Sequence, residues 1–203
     1  CSVEEDVPEI MPVVGNLDAD ADLEIVVVSG CNTLEILNLD QPGKIHRTIE
    51  IDGILLSSPV VGDLDGDGKN EIIVSSFDEN DELQGGIYVF DSQGELVPGW
   101  PVLVEESFSV SPALADFDQD GDLEICIPGW SSKRVHLLHH FGFEAEGWPV
   151  GPFPSTHLQS GPVIGDIDGD GALDVVLATQ GVLFHTIRTG DMTTIGGIQA
   201  WSF

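Results

Sequence analysis

The sequence predicts an all-β protein, specifically a β-propeller built of four-stranded antiparallel blades, and three observations lead there. First, one ungapped stretch occurs four times: PVVGNLDADADLEIVV at 12–27, PVVGDLDGDGKNEIIV at 59–74, PALADFDQDGDLEICI at 112–127 and PVIGDIDGDGALDVVL at 162–177. Second, the opening prolines, Pro12, Pro59, Pro112 and Pro162, are spaced by 47, 53 and 50 residues, which suits one blade of four short strands. Third, the repeat extends beyond that stretch, because GGIYVFDSQGELVPGWPV at 85–102 aligns with KRVHLLHHFGFEAEGWPV at 133–150, placing Trp100 over Trp148 and Gly94 over Gly142. The units run approximately over 9–56, 57–108, 109–158 and 159–203, in a single domain.

Within a unit the first strand is read at SPVVGD, the second at EIIVSS, the third at GIYVF and the fourth around PGWPV, separated by Gly, Asp and Asn turns. The first two are nearly continuous apolar runs, as expected of a sheet covered on both faces. In the last unit GGIQAWSF at 196–203 matches the start of a third strand, with Trp201 in the place of Phe90, so TQGVLFHTIRTGDMTTI at 179–195 is read as a long connection and no fourth strand follows. The chain is therefore expected to be part of a larger propeller, or to be closed by a strand from elsewhere.

Composition narrows the function. There are 36 acidic residues against 6 Lys and Arg, a formal charge of −30, with a hydrophobic content of 41% that rules out a disordered acidic tail. Such a field repels nucleic-acid phosphates and anionic membranes, which are held mainly by Lys and Arg. No apolar run approaches the ~20 residues that span a bilayer. Cys1, Cys31 and Cys126 have no CxxC spacing and are read as buried or unpaired thiols rather than a zinc or haem motif. An N-terminal Cys1 is also compatible with a lipidated mature lipoprotein.

The repeated acidic loop carries the chemistry. Counting from Asp63, oxygen-bearing side chains fall at positions 1, 3, 5 and 9 (Asp63, Asp65, Asp67 and Glu71), with Gly68 at position 6. Alternate residues of a tight loop can aim carboxylates at one centre, Gly permits the turn, and the position-7 residue can offer its carbonyl to a hard cation. Position 7 is Asp22, Lys69, Asp122 or Ala172, a variation expected where only the backbone binds. An EF-hand fails, because position 12 is Val27, Val74, Ile127 or Leu177 instead of Glu and the closing acid stands at position 9 as Glu24, Glu71, Glu124 or Asp174. Plain solvated turns would explain one copy better than four in register, and a catalytic carboxylate pair has no need to recur in every unit.

D-x-D-x-D-G-x-x-E/D between two apolar strands, repeated about every 50 residues, resembles the FG-GAP or VCBS repeats of integrin-α-type β-propellers. The resemblance covers nearly the whole chain. It implies up to four calcium ions: at Asp63, Asp65, Asp67, Lys69 through its carbonyl and Glu71; at Asp116, Asp118, Asp120, Asp122 and Glu124; at Asp166, Asp168, Asp170, Ala172 and Asp174; and at Asn16, Asp18, Asp20, Asp22 and Glu24. The last of these departs from the pattern through Asn16 at position 1 and Ala21 at position 6, and is expected to be the weakest.

In an antiparallel meander the acidic loops lie at one end and the connections after the second strands at the other. Those far connections vary most between units, and variable loops on a rigid scaffold are where binding concentrates. Phe77 and Trp130, standing where other units have Gly30 and Gln180, are the ligand-face candidates; packing against the blade edge is the plainer account of them. Trp100 and Trp148 are read as structural, and His136, His139 and His140 as residues of a strand and its turn rather than a metal site.

No nucleophile with an oriented base, phosphate loop or redox motif is legible. The leading expectation is a non-catalytic extracellular scaffold for adhesion, ligand binding or assembly, with a protein or glycan partner on the face opposite the loops. Such loops suit millimolar calcium. The alternatives are the propeller of a secreted polysaccharide-degrading, lyase-like enzyme and an architectural subunit of a surface appendage or filament. The absence of an N-x-S/T sequon tilts the reading toward a prokaryotic surface protein.

Overall fold

A computed structural model describes residues 10–18, 22–38, 45–77, 85–153, 158, 160–167, 169–179, 183–188 and 193–199, with 45–46, 179, 183–188 and 193–199 described through their backbone. Among the described residues the elements are sixteen strands, paired antiparallel in four successive sheets. The first sheet has the order β1 (Val13–Gly15), β2 (Glu24–Ser29), β3 (Thr33–Asn38) and β4 (Ile45–Glu50). In the second, β5 (Ile54–Leu55) and β6 (Val60–Gly62) both pair with β7 (Glu71–Phe77), followed by β8 (Gly85–Phe90) and β9 (Val102–Val104). The third comprises β10 (Ala113–Ala115), β11 (Glu124–Pro128) and β12 (Val135–Leu138), and Val150 adds a bridge to Val135. The fourth comprises β13 (Val163–Gly165), β14 (Asp174–Thr179), β15 (Leu183–Arg188) and β16 (Thr193–Gln199).

Continuous apolar strands are buried along nearly their whole length in the second and third sheets, which each have a sheet on either side, whereas burial alternates along β2 and β3 of the first sheet. Side chains alternate across a strand, so Ile72 and Val74 of β7 pack with Leu17, Val26, Leu34 and Ile36 of the first unit. Ile73 points the other way, into a core shared with Ile125, Ile127 and Phe108. On β11 the alternation repeats, and Cys126 joins Leu137, Val175 and Leu177 between the third and fourth sheets. Each such buried aliphatic side chain contributes roughly 1.5–3 kcal/mol relative to exposure.

Two strand assignments need correction. The segment at 179–195 contains the third strand of the last unit, since Leu183–Arg188 pairs with β14 over its whole length. GGIQ at 196–199 accordingly belongs to the fourth strand, β16, with a bulge at Phe184/His185, so that sheet has the strand the sequence reading denied it. Trp201 lies outside the described residues. The Gly-Gly-Ile match misled because Leu183–Arg188 shares no motif with GGIYVF. The fourth strand of the second unit begins at Val102, the last residue of GWPV. Trp100 is buried, whereas Trp148 is half-buried and meets Phe117 edge-on at 6.5 Å.

The cysteines divide. Cys126 is a buried thiol, and burial pushes its pKa far up. Cys31 is disulfide-bonded, which corrects the expectation of unpaired thiols. Cys1 is outside the described residues.

Candidate metal centres

The acidic loops follow β1, β6, β10 and β13, each bridging the first strand of a unit to the second. One hydrogen bond recurs in all four: the position-9 carboxylate accepts the N–H of position 2. These contacts are Leu17 N to Glu24 Oε2 (2.9 Å), Leu64 N to Glu71 Oε2 (2.8 Å), Phe117 N to Glu124 Oε2 (2.8 Å) and Ile167 N to Asp174 Oδ2 (3.0 Å). Glu24, Glu71, Glu124 and Asp174 are all buried, so each closing acid sits at the root of its loop with one oxygen spent on the backbone.

Position 1 is held from within the loop. Gly68 N donates to Asp63 Oδ2 (3.0 Å), Gly121 N to Asp116 Oδ2 (3.2 Å) and Gly171 N to Asp166 Oδ2 (3.0 Å). All three glycines have φ near +90 to +102°, the left-handed turn anticipated at position 6. Position 5 likewise accepts the N–H of position 7 in Asp67, Asp120 and Asp170. Position 4 is left-handed too, at Gly66, Gln119 and Gly169; Gln119, with φ 62°, gave no sequence signal.

This folding brings carboxylates together in the second and third loops. Asp63, Asp65 and Glu71 each offer an oxygen within 4.8 Å of the others, as do Asp116, Asp118 and Asp120, and Asp120, Asp122 and Glu124. Asp63 Oδ1 and Asp122 Oδ1 are buried and accept no hydrogen bond. Among the described residues of the fourth loop, Asp166 and Asp170 are exposed, Ala172 is half-buried and Asp174 is buried; Asp168 is outside them. In the first loop, Asn16 offers its carbonyl to Asn70 Nδ2, Asp18 and Asp22 are exposed, and Asp20 is outside the described residues. The loops lie against one another: Leu123 N donates to Leu64 O at 2.9 Å and Gln119 Nε2 to Gly171 O at 3.3 Å.

Crowding these acids perturbs them. Burial pushes the Glu71 carboxyl up to about 7, with the charges of Asp65, Asp67 and Asp63 acting in the same direction and the Leu64 N–H opposing. Burial likewise raises Glu124 and Asp122. Lys69 was anticipated only through its carbonyl, yet its ammonium meets Asp67 Oδ2 at 2.9 Å, and that bond holds Asp67 below the ordinary carboxylate range.

The histidines stand on β12 and in the turn after it, as the sequence suggested, and two of them reach the acids of the third loop. His139 Nδ1 lies 3.1 Å from Glu124 Oε1 and 4.0 Å from Asp118 Oδ2, and His140 Nδ1 lies 2.6 Å from Asp122 Oδ2. The pairing register could have revealed this, because Ile125 opposite Leu138 places His139 across from Glu124.

At the far end, Phe77 closes β7 half-buried opposite Ile54, and Trp130 is half-buried with its backbone N–H donating to Ser107 O at 2.9 Å. These two candidates thus lie away from the acidic loops. A cavity of about 280 Å³ opens near Phe77, lined by residues including Asp52, Gly53, Ser76, Tyr88 and Glu105. Beside Trp130, the fully buried Glu106 accepts bonds from Ser107 N, Ser131 N, Ser131 Oγ and Ser132 N.

A family model for the FG-GAP-like repeat matches residues 63–127, the second and third loops with the sheet between them. That match is consistent with the FG-GAP-like repeat family. Among solved structures, the chain is similar to the C-terminal domain of Pseudomonas aeruginosa PilY1 (14% identity, TM-score 0.67, covering 88% of this chain and 48% of that one). It is also similar to the V. cholerae biofilm matrix protein Bap1 (17%, 0.61, covering 90% and 27%) and to BBS1N in complex with ARL6DN (12%, 0.62, covering 94% and 57%). The chain spans less than two thirds of each, and at these identities the likeness concerns the fold. No curated protein sequence matches.

Proposed function

We propose that this chain is a section of a calcium-binding β-propeller that serves outside the cytoplasm as a non-catalytic scaffold for adhesion, ligand binding or assembly. One observation carries the calcium reading: carboxylates at positions 1, 3 and 9 converge in the second loop around a buried Asp63 oxygen that accepts no hydrogen bond. The donor set consists of oxygens, as a hard cation requires. Asp63, Asp65, Asp67 and Glu71 would hold the ion with the Lys69 carbonyl, and its charge would relieve the repulsion that raises Glu71. The ion's role is structural, clamping the turn from first to second strand.

Four sheets packed face to face in chain order, with their acidic loops side by side, support the propeller reading. The disulfide at Cys31 favours an oxidising compartment. The likeness to a biofilm matrix protein and to PilY1 is in keeping with a surface role. A protein or glycan partner would meet the far face, where the cavity, Phe77 and Trp130 lie. The test is thermal unfolding at low salt with calcium and with EDTA. A substantially lower midpoint in EDTA supports the reading, and superimposable curves reject it.

A further inference from the structure

The four loops share a spacing but differ in the residue that stands directly across from the closing acid on the third strand. That residue is Asn38 opposite Glu24 and Arg188 opposite Asp174, and the register continuing from Ile125 opposite Leu138 places His139, just past β12, across from Glu124. In the second unit the register continuing from Ile72 opposite Phe90 places Asp91 across from Glu71. Directly opposed residues are the nearest cross-strand neighbours on a sheet face, and in the third unit this position brings an imidazole to the closing acid.

We infer that the third loop is a mixed nitrogen and oxygen site that takes a borderline divalent transition ion of the zinc and cobalt class, with His139, Asp118 and Glu124 as its ligands. The inference rests on the cation-binding reading of the loops and assigns one of them a different metal. Calcium takes oxygen ligands at 2.3–2.6 Å, whereas imidazole is a characteristic ligand of zinc and its neighbours. Ligands around an ion with bonds of about 2.0–2.2 Å stand roughly 3–4 Å apart. His139 Nδ1 lies 3.1 Å from Glu124 Oε1 and 4.0 Å from Asp118 Oδ2, and the three ligand atoms lie within 4.8 Å of one another. In the second loop no nitrogen takes that place, and Asp91 instead accepts the N–H groups of Gln93 and Glu95 in its own turn.

The histidine turn is built to stay there. The Trp100 indole of the preceding unit donates to His140 O at 2.9 Å, His139 N donates to Phe143 O at 2.9 Å, and Gly142 N to His139 O at 2.8 Å. A side chain at Gly99 would meet Phe141 O at 2.6 Å, so the neighbouring turn fits only without one. The His139 ring stacks on Phe141 with centroids 5.3 Å apart. Beside it, Asp122 Oδ1 and His140 Nδ1 are buried atoms without hydrogen bonds, although Asp122 Oδ2 lies 2.6 Å from that nitrogen. His140 therefore acts as a positioning residue for Asp122, and His139 supplies the ligand.

The experiment titrates chelator-stripped protein first with calcium by calorimetry, and then with Co²⁺ in saturating calcium, following the visible absorption of the bound ion. The inference predicts one equivalent of Co²⁺, displaced by Zn²⁺ and weakened at least about tenfold by His139→Asn. Asp65→Ala, in the second loop, should leave it unchanged, and calcium binding elsewhere with an unaltered melt would show that His139→Asn folds. Calcium binding without cobalt binding would overturn this inference alone, and would mean that the imidazoles serve as counter-cations to the acids. Cobalt binding that survives His139→Asn, or is lost instead in His136→Asn, would also overturn it. Failure of both metals would overturn the cation reading as well.

Discussion

The second and third units contrast at both of their ends. At the acidic end the loops superimpose in spacing and in hydrogen bonds, yet one faces Asp91 and carries Lys69, whereas the other faces His139 and carries Asp122 paired with His140. At the far end, Gly53 and Ser76, which meet beside the second sheet, correspond to Glu106 and Gly129, which meet beside the third. A side chain on Gly53 would meet Ser76 Cβ at 3.1 Å, and one on Gly129 would meet the Glu106 carboxylate at 2.2 Å. The bulk has moved from strand to connection, so the backbone repeat is conserved within the chain while the chemistry at each end is exchanged. A repeated scaffold can thus specialise one unit at a time.

The largest expected effect concerns what the two loops share. If each loop is saturated with its own cation, each occupied site stabilises by about 2.7 kcal/mol at a hundred times its dissociation constant. That corresponds to roughly 5–10 °C per site in a chain of this size. EDTA should lower the midpoint by more than one such step, and Asp65→Ala should remove a single step. Equal loss from Asp65→Ala and from EDTA would mean that only the second loop binds.

Next in size is the far-end exchange. Glu106→Ala strips the acceptor from Ser107 N, Ser131 N and Ser132 N in a buried setting, and should cost about 2–4 kcal/mol in denaturant unfolding. Gly129→Ala, which drives a methyl into that carboxylate, should cost roughly 1–3 kcal/mol. Ser76→Ala at the corresponding position loses the bond from Gly86 N at 3.2 Å and the contact with the Tyr88 hydroxyl, and should cost under about 1.5 kcal/mol. Similar costs at positions 76 and 129 would dissolve the contrast.

Asp91→His would sharpen the comparison at the acidic end by giving the second loop the cross-strand residue of the third. It should add a second equivalent of Co²⁺ to the titration. No gain would show that the Trp100-anchored turn, and not the histidine alone, makes the third loop what it is.

The smallest effect is on pH. The Glu71 carboxyl, raised from 4.5 to about 7 in the folded metal-free chain, favours its protonated form. Its contribution to stability is therefore full below about 4.5 and lost as pH rises through about 7. EDTA-treated protein should melt slightly higher at pH 6 than at pH 8, and Glu71→Gln should flatten that difference. Calcium competes with the same proton, so affinity at the second loop should fall on the same descent in pH.

Much of this was legible before any coordinates. The loop spacing located the position-6 glycines and the closing acids, and the continuous apolar runs predicted sheets covered on both faces, as the second and third sheets are. What was not legible depends on register and on backbone conformation. His139 lies fifteen residues from Glu124 in sequence, and only the β11–β12 pairing makes them neighbours. Glu106 and Ser131 come from connections that differ in length between units, so no repeat alignment pairs them. The third strand at 183–188 went unseen because a strand needs only apolar alternation and a partner, while a three-residue Gly-Gly-Ile match drew attention to its neighbour.

The most direct test of the central claim is a calcium titration of chelator-stripped protein by calorimetry at physiological ionic strength. Saturable binding of several ions, reduced by one in Asp65→Ala, is the predicted result. Only weak, unsaturable uptake that vanishes with added salt would contradict it, because that is how a merely acidic surface gathers counter-ions.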